Sequence, residues 1–302
     1  MRVGVVMSCP DRDVAATALR AEEAGFDFVA AGEHLFFHIP TPNVFVTLAA
    51  AAAATQRIRL LSTLTLLPLY PPALAAKLVA SLDNVSGGRF DFGVGIGGEY
   101  PPEFAAVGVP VRERGRRTDD ALELMTALLD GRSVNASGWW GSAQELQLKP
   151  PATQRPHPPI WMGGRRTAAF QRAARFADHW LPYMYTPEQL ADSLVAIEGF
   201  AESYGRKGCI EGAIFCWGAI DRDPAVARRN AIAAVSSTYQ QDFDDLANRY
   251  LVTGTPDQVV SRLLEYRDAG ARTVIFAGPS DSDPTNRTAE LLAAEVLPAL
   301  RG

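Results

Sequence analysis

The chain has 302 residues, of which 47% are hydrophobic and 21% charged, and its formal net charge is −5. This balance describes a globular protein and excludes an electrostatic drive toward nucleic acid. No apolar run reaches the roughly 18 residues of a membrane span. The N-terminal run, too short for a signal peptide, ends in turn chemistry at Cys9 and Pro10, so a cytoplasmic protein without membrane partners is expected.

Short apolar segments alternate with longer amphipathic ones along the whole chain, the pattern of a parallel sheet covered by helices. Strands are expected at 3–7, 26–31, 58–66, 90–95, 159–162, 179–182, 213–220 and 273–276. Eight strands fit a (β/α)8 TIM barrel, here a single domain over residues 1–302. Helices are expected at 13–24, 43–55, 72–86, 112–130, 167–177, 187–204, from 223 onward, at 256–269 and at 286–300. Asp13 caps the first and Gly25 stops it, while Thr255-Pro256-Asp257 opens the helix that Gly270 ends. Residues 131–158, rich in Gly, Pro and Trp, are too long for a simple connection and read as an insertion able to cover the barrel mouth. Residues 236–250 look like an additional helix near the seventh strand. Cys9, Cys209 and Cys216 form no C-x-x-C pair and are expected to be buried free thiols.

In a parallel barrel only residues just past each strand are placed for chemistry. After the second strand stand Gly32-Glu33-His34-Leu35-Phe36-Phe37-His38, an acid and an imidazole beside large apolar side chains. Such a neighbourhood can shift a pKa and seat a ring, although a rim hydrogen bond is an equally good use of Glu33 and His34. A metal at Glu33, His34 and His38 is disfavoured, because H-E-x-x-H is absent and no second acidic cluster accompanies the pair. Gly93-Val94-Gly95-Ile96-Gly97-Gly98 matches G-x-G-x-x-G, but Pro101-Pro102 follow where a dinucleotide fold needs a helix. Those glycines make better sense as backbone that a planar ring can approach. Gly163-Gly164-Arg165-Arg166-Thr167 leave a strand and begin a helix, which makes a phosphate site from amides, helix dipole and guanidiniums. Arg112, Arg114, Arg116 and Arg117 read as a solvated helix start. No G-x-S-x-G elbow and no P-loop is present.

Taken together, these segments resemble the luciferase-like monooxygenase superfamily, whose members use FMN or the deazaflavin F420. The resemblance spans nearly the whole chain: Ala24-Gly25-Phe26-Asp27, Glu33-His34-Leu35, Arg57 to Leu60, Leu82-Asp83, Ser86-Gly87-Gly88-Arg89, Glu103-Phe104, Gly108-Val109-Pro110, Arg114-Gly115 and Gly254-Thr255-Pro256. It implies that His34 does acid/base or hydride-positioning work, with Glu33 beside it where the family has Asp. It also implies a non-proline cis peptide at Leu64-Thr65 behind the cofactor's face, a ring edge held at Gly97 and Gly98, and a phosphate held at 163–167. A proton-donating Glu would match Glu99 or Glu103. The stretch from Gly108 to Gly115 favours the F420 branch, hence hydride transfer to or from a small, largely apolar substrate near Phe36, Phe37, Trp139, Trp140 and Tyr183. The alternative is an FMN-dependent monooxygenase fed by a separate flavin reductase, and a third reading is a non-catalytic flavin-binding relative. The resemblance further implies a homodimer.

Overall fold

The computed structural model describes residues 1–7, 13–279 and 287–302. Cys9 lies outside these residues. The chain runs β1 (Arg2–Val6), α1 (Val14–Glu23), β2 (Phe28–Ala31), α2 (Val44–Ala54), β3 (Arg59–Ser62), β4 (Thr65–Leu66), α3 (Pro72–Val85), β5 (Phe90–Gly95), α4 (Pro101–Ala106) and α5 (Arg114–Leu129). It continues with β6 (Val134–Gly138), β7 (Gly141–Leu146), β8 (Ile160–Met162), α6 (Thr167–Phe176), β9 (His179–Trp180), α7 (Pro187–Ser203) and β10 (Glu211–Ile220). The last third holds α8 (Pro224–Tyr239), α9 (Asp244–Tyr250), β11 (Val252–Gly254), α10 (Pro256–Asp268), β12 (Ala271–Ala277), α11 (Thr288–Leu291) and α12 (Leu297–Arg301).

Parallel pairing passes from β1 through β2, β3, β5, β8, β9, β10 and β12 back to β1, closing an eight-stranded barrel ringed by helices. Strand alternation separates two apolar regions. Phe28, Ala30, Leu61, Trp161, Leu181, Ala213 and Ile275 fill the lumen. Their neighbours Val29, Leu60, Ile160, Met162, Ile214 and Val274 face the helices. At the strands' amino ends the lumen is closed by polar pairs, Asp91 with Arg59 at 2.6 Å and Glu211 with Arg2, and by His179 stacked on Trp161 at 4.0 Å.

The expected third strand, 58–66, is broken into β3 and β4 by a cis bond. That bond joins Thr63 and Leu64, one residue before the Leu64-Thr65 position the resemblance implied. Here β5 lies so close that a Cβ on Gly93 would stand 1.8 Å from the Ser62 carbonyl oxygen, which is why glycine occupies that place.

The insertion does not cover the mouth. β6 and β7 pair only with each other, and β6 packs along α5, with Arg117 over the Trp139 ring at 4.2 Å. The return passes beneath the barrel: the Gln154 amide group donates to Asp83 and to the Phe90 carbonyl at the entry of β5, and Asn84 donates to the Pro151 carbonyl. Trp139 and Trp140 therefore belong to the outer wall rather than to the mouth. The additional helix near the seventh strand is α9, and with the end of α8 it forms a small separate core of Met184, Ala219, Ala231, Val235, Phe243, Ala247 and Leu251. Cys216 is buried and its thiol is pushed up to about 12 by burial, but Cys209 is exposed, contrary to expectation. Among the described residues, no helix is long and apolar enough to cross a membrane.

Candidate active site

Past the carboxyl end of β2, the chain turns at Gly32 and presents Glu33 and His34 in succession. The two point to different tasks. Glu33, 6% exposed, accepts from the Leu66 N–H, the Tyr70 hydroxyl at 2.7 Å, the Asn43 amide and, at 3.5 Å, the Val44 N–H. It thus fastens the β2 loop to β4 and to the start of α2. Burial, with the nearby Glu103 charge, raises its pKa despite those donors, and burial followed by the Glu33 charge raises the Tyr70 phenol as well.

His34 meets a different acid. Its Nδ1 lies 3.3 Å from each carboxylate oxygen of Glu103, which also accepts from the Leu35 N–H at 3.1 Å. Glu103 is fully buried. Its position depends on a helix that sequence reading misses: Pro101 and Pro102 do not end structure but open α4 at its first two positions, where a missing N–H costs nothing. Phe104, equally buried, anchors that helix beneath Gly97. The signal was available as Pro-Pro followed by Glu, the usual order of a helix's first turn.

Glu99 does not reach His34's acid position. It is exposed and accepts a hydrogen bond from the Tyr183 hydroxyl. Gly97 and Gly98 adopt left-handed φ values of 58° and 107°, so the turn after β5 bends over α4 and the first residue of α5. A Cβ on Gly98 would stand 2.9 Å from the Arg114 Nε, and Arg114 is consequently half-buried rather than solvated. Arg117 is likewise drawn down onto Trp139, leaving Arg112 and Arg116 as the solvated pair.

Across the mouth, Gly163 and Gly164 leave β8, and Arg166 precedes α6 without any side-chain cap on its first turn. The opening amides of that helix, with Arg165, Arg166 and Thr167 exposed around them, suit a phosphate. Arg165 lies over the Tyr183 ring at 4.8 Å and donates to the Tyr183 carbonyl. Between the two ends stand Leu64 and Thr65. Thr63 and Thr65 carry buried hydroxyl oxygens without hydrogen-bond partners, which the polar edge of a flat heterocycle would satisfy. The residues therefore fit a planar ring with a phosphate tail. The aromatic lining differs from expectation in part: Phe37 and Tyr183 are at the mouth, whereas Phe36 is 54% exposed.

Fold and site together place the chain among the (β/α)8 barrels whose working residues gather at the carboxyl ends of the strands. A family model described as luciferase-like monooxygenase matches residues 8–273, and the chain belongs to that family. An uncharacterized protein of Mycobacterium tuberculosis (strain H37Rv) is 33% identical over 172 residues, covering 57% of this chain. The match spans 58% of the length of that curated relative. The crystal structure of the monooxygenase RslO1 from Streptomyces bottropensis is 28% identical, with a TM-score of 0.82 and 99% of each chain covered. An F420-dependent secondary alcohol dehydrogenase in complex with an F420–acetone adduct shares the fold at 21% identity, with a TM-score of 0.87 over 100% of this chain and 99% of that one.

Proposed function

We propose that the protein is an F420-dependent oxidoreductase that passes a hydride between the deazaflavin and a small organic substrate. The observation that carries this reading is the half-buried His34 held by the fully buried Glu103 at the barrel mouth. When bound, F420 supplies a ring carbon that donates or accepts hydride but does not activate oxygen. Everything else falls to the chain. Both carboxylate oxygens of Glu103 face Nδ1, and the tautomer that uses them as acceptors for Nδ1–H leaves the Nε2 lone pair free. Nε2 then takes the proton from a substrate hydroxyl as hydride leaves carbon, or returns it in the reverse direction. Gly97, Gly98, Leu64 and Thr65 hold the ring, and Gly163, Gly164, Arg165, Arg166 and Thr167 hold the phosphate end. Glu33 takes no part in proton transfer and keeps the loop that bears His34 in register with β4.

The F420 dependence of the alcohol dehydrogenase of like fold supports the choice of cofactor, and a Type II Baeyer-Villiger monooxygenase from Pseudomonas putida, of like fold and in complex with FMN, supports FMN as the second reading. Titration of cofactor-free protein with F420 and separately with FMN decides between them. Saturable binding of F420 alone is the expected result. A preference for FMN overturns the choice of cofactor, and binding of neither overturns the reading of the site.

A further inference from the structure

The rings around His34 form a larger group than proton handling requires. Tyr239, the last residue of α8, is its hub: it meets Phe37 edge-on at 6.1 Å, meets Trp217 at 6.1 Å and lies parallel to Tyr183 at 6.4 Å. These four side chains arrive from the β2 loop, the segment after β9, strand β10 and the end of α8. The helix end reaches the mouth because α8 and α9 have their own core there, on which Tyr183, Trp217 and Tyr239 all rest. Phe37 lies flat on the His34 imidazole, 3.9 Å away and inclined by 12°.

The group has a polar edge as well. Tyr183 donates its hydroxyl hydrogen to Glu99. Burial, and after it the Glu99 charge, raises both the Tyr183 and Tyr239 phenols, so both remain protonated hydrogen-bond donors. The Trp217 indole N–H is buried beside the Tyr239 hydroxyl, its one nearby oxygen, and makes no hydrogen bond of normal geometry to it. An indole nitrogen only donates, so what is missing is an acceptor oxygen.

We propose that this group of rings selects a planar aromatic substrate bearing a ring carbonyl, the ring replacing Phe37 against the His34 imidazole and the carbonyl oxygen accepting from Trp217. This rests on the oxidoreductase reading of the same site and adds the class of its substrate. A molecule that takes the face of His34 on which Phe37 lies must move Phe37 and forfeit a parallel stacking contact. A flat π-system restores that contact, whereas a saturated ring cannot. The Trp217 N–H is already stripped of water in the free protein, so the incoming carbonyl gains a hydrogen bond without a further desolvation loss on the protein side.

The test uses three probes of one skeleton: 1-indanone, which is planar and carries a ring ketone; indane, which keeps the aromatic ring without oxygen; and perhydro-1-indanone, which keeps the oxygen without the π-face. Each is titrated into the full-length, cofactor-free protein by calorimetry. The expected result is saturable binding of 1-indanone, roughly tenfold tighter than either of the other two. Trp217→Phe should erase the preference over indane while keeping the preference over the saturated ketone. Equal affinity for all three probes, or no binding of 1-indanone by protein that still binds its cofactor, overturns the substrate class alone. Protein that is folded by circular dichroism yet binds neither probe nor cofactor overturns both readings.

Discussion

Two glutamates flank His34, and their surroundings assign them opposite tasks. Glu33, adjacent in sequence, is consumed by four donors from β4, Tyr70, Asn43 and α2. Glu103, 69 residues away, offers both its oxygens to the imidazole. Glu103→Gln keeps the shape of the site but removes the charge and turns one of the two acceptor oxygens facing Nδ1 into an NH2 donor, so the tautomer is no longer fixed. Turnover should fall about 10²-fold with cofactor affinity unchanged. Nitrogen NMR of the His34 ring provides a readout that needs no substrate: the proton should reside on Nδ1 in the wild type, and that preference should be lost in Glu103→Ala. A ring that keeps its Nδ1 proton in that variant would show that Glu103 does not position it. His34 was legible in the sequence because strand and loop position single it out. Glu103 was visible only as one of two candidates, since burial and the direction of a side chain on a six-residue helix are set by Phe104 packing under Gly97.

At the level of elements, Arg89 explains the Ser86-Gly87-Gly88-Arg89 run. Its guanidinium donates to the Thr55 hydroxyl and to the carbonyls of Ala52, Thr55, Ile58 and Ser86. These acceptors lie at the end of α2, the approach to β3 and the end of α3, so one side chain satisfies carbonyls that helix termini leave open. Lysine carries the charge but a point donor, and cannot reach five acceptors from one fork. Arg89→Lys should lower stability by about 2–4 kcal/mol, read as a reduced urea midpoint with an unchanged m-value. A loss under 0.5 kcal/mol, within the scatter of ordinary surface changes, would show that these bonds are replaced by water. The helix cores of this level were legible from caps and periodicity, as with Asp13, Asn43 and Thr255. The insertion was misplaced because nothing in residues 131–158 reveals their partners. Those partners, Asp83, Asn84 and Phe90, are polar groups 60 or more residues earlier in the chain, and only the folded barrel brings them near.

For the molecule as a whole, the closed barrel makes its buried carboxylates respond to pH in opposite directions. Glu22 sits where α1 meets the approach to β3. Burial alone would raise its pKa, but the N–H groups of Ile58, Arg57 and Gln56, with the Arg57 charge, more than reverse this and hold it below the usual 4.5. A group with a lowered folded pKa binds fewer protons folded than unfolded, so its stabilisation is complete above 4.5 and is lost as pH falls through the folded value. Glu33 has the reverse sign. Its folded pKa is raised, the folded state holds its proton longer, and stability declines as pH rises from 4.5 through that higher value. Glu22→Gln should therefore cost about 1–3 kcal/mol at neutral pH, with the difference from wild type shrinking in acid. For Glu33→Gln the lost acceptor makes the variant the weaker protein throughout, but its deficit should narrow as pH rises past 4.5, where the wild-type carboxyl is forced to ionise in a buried place. Thermal midpoints of the two variants followed from acid to neutral pH should thus diverge from wild type in opposite senses. Parallel profiles would mean that one of the two carboxylates is solvated in solution, and that the loop bearing His34 is less tightly fastened to β4 than its hydrogen bonds indicate.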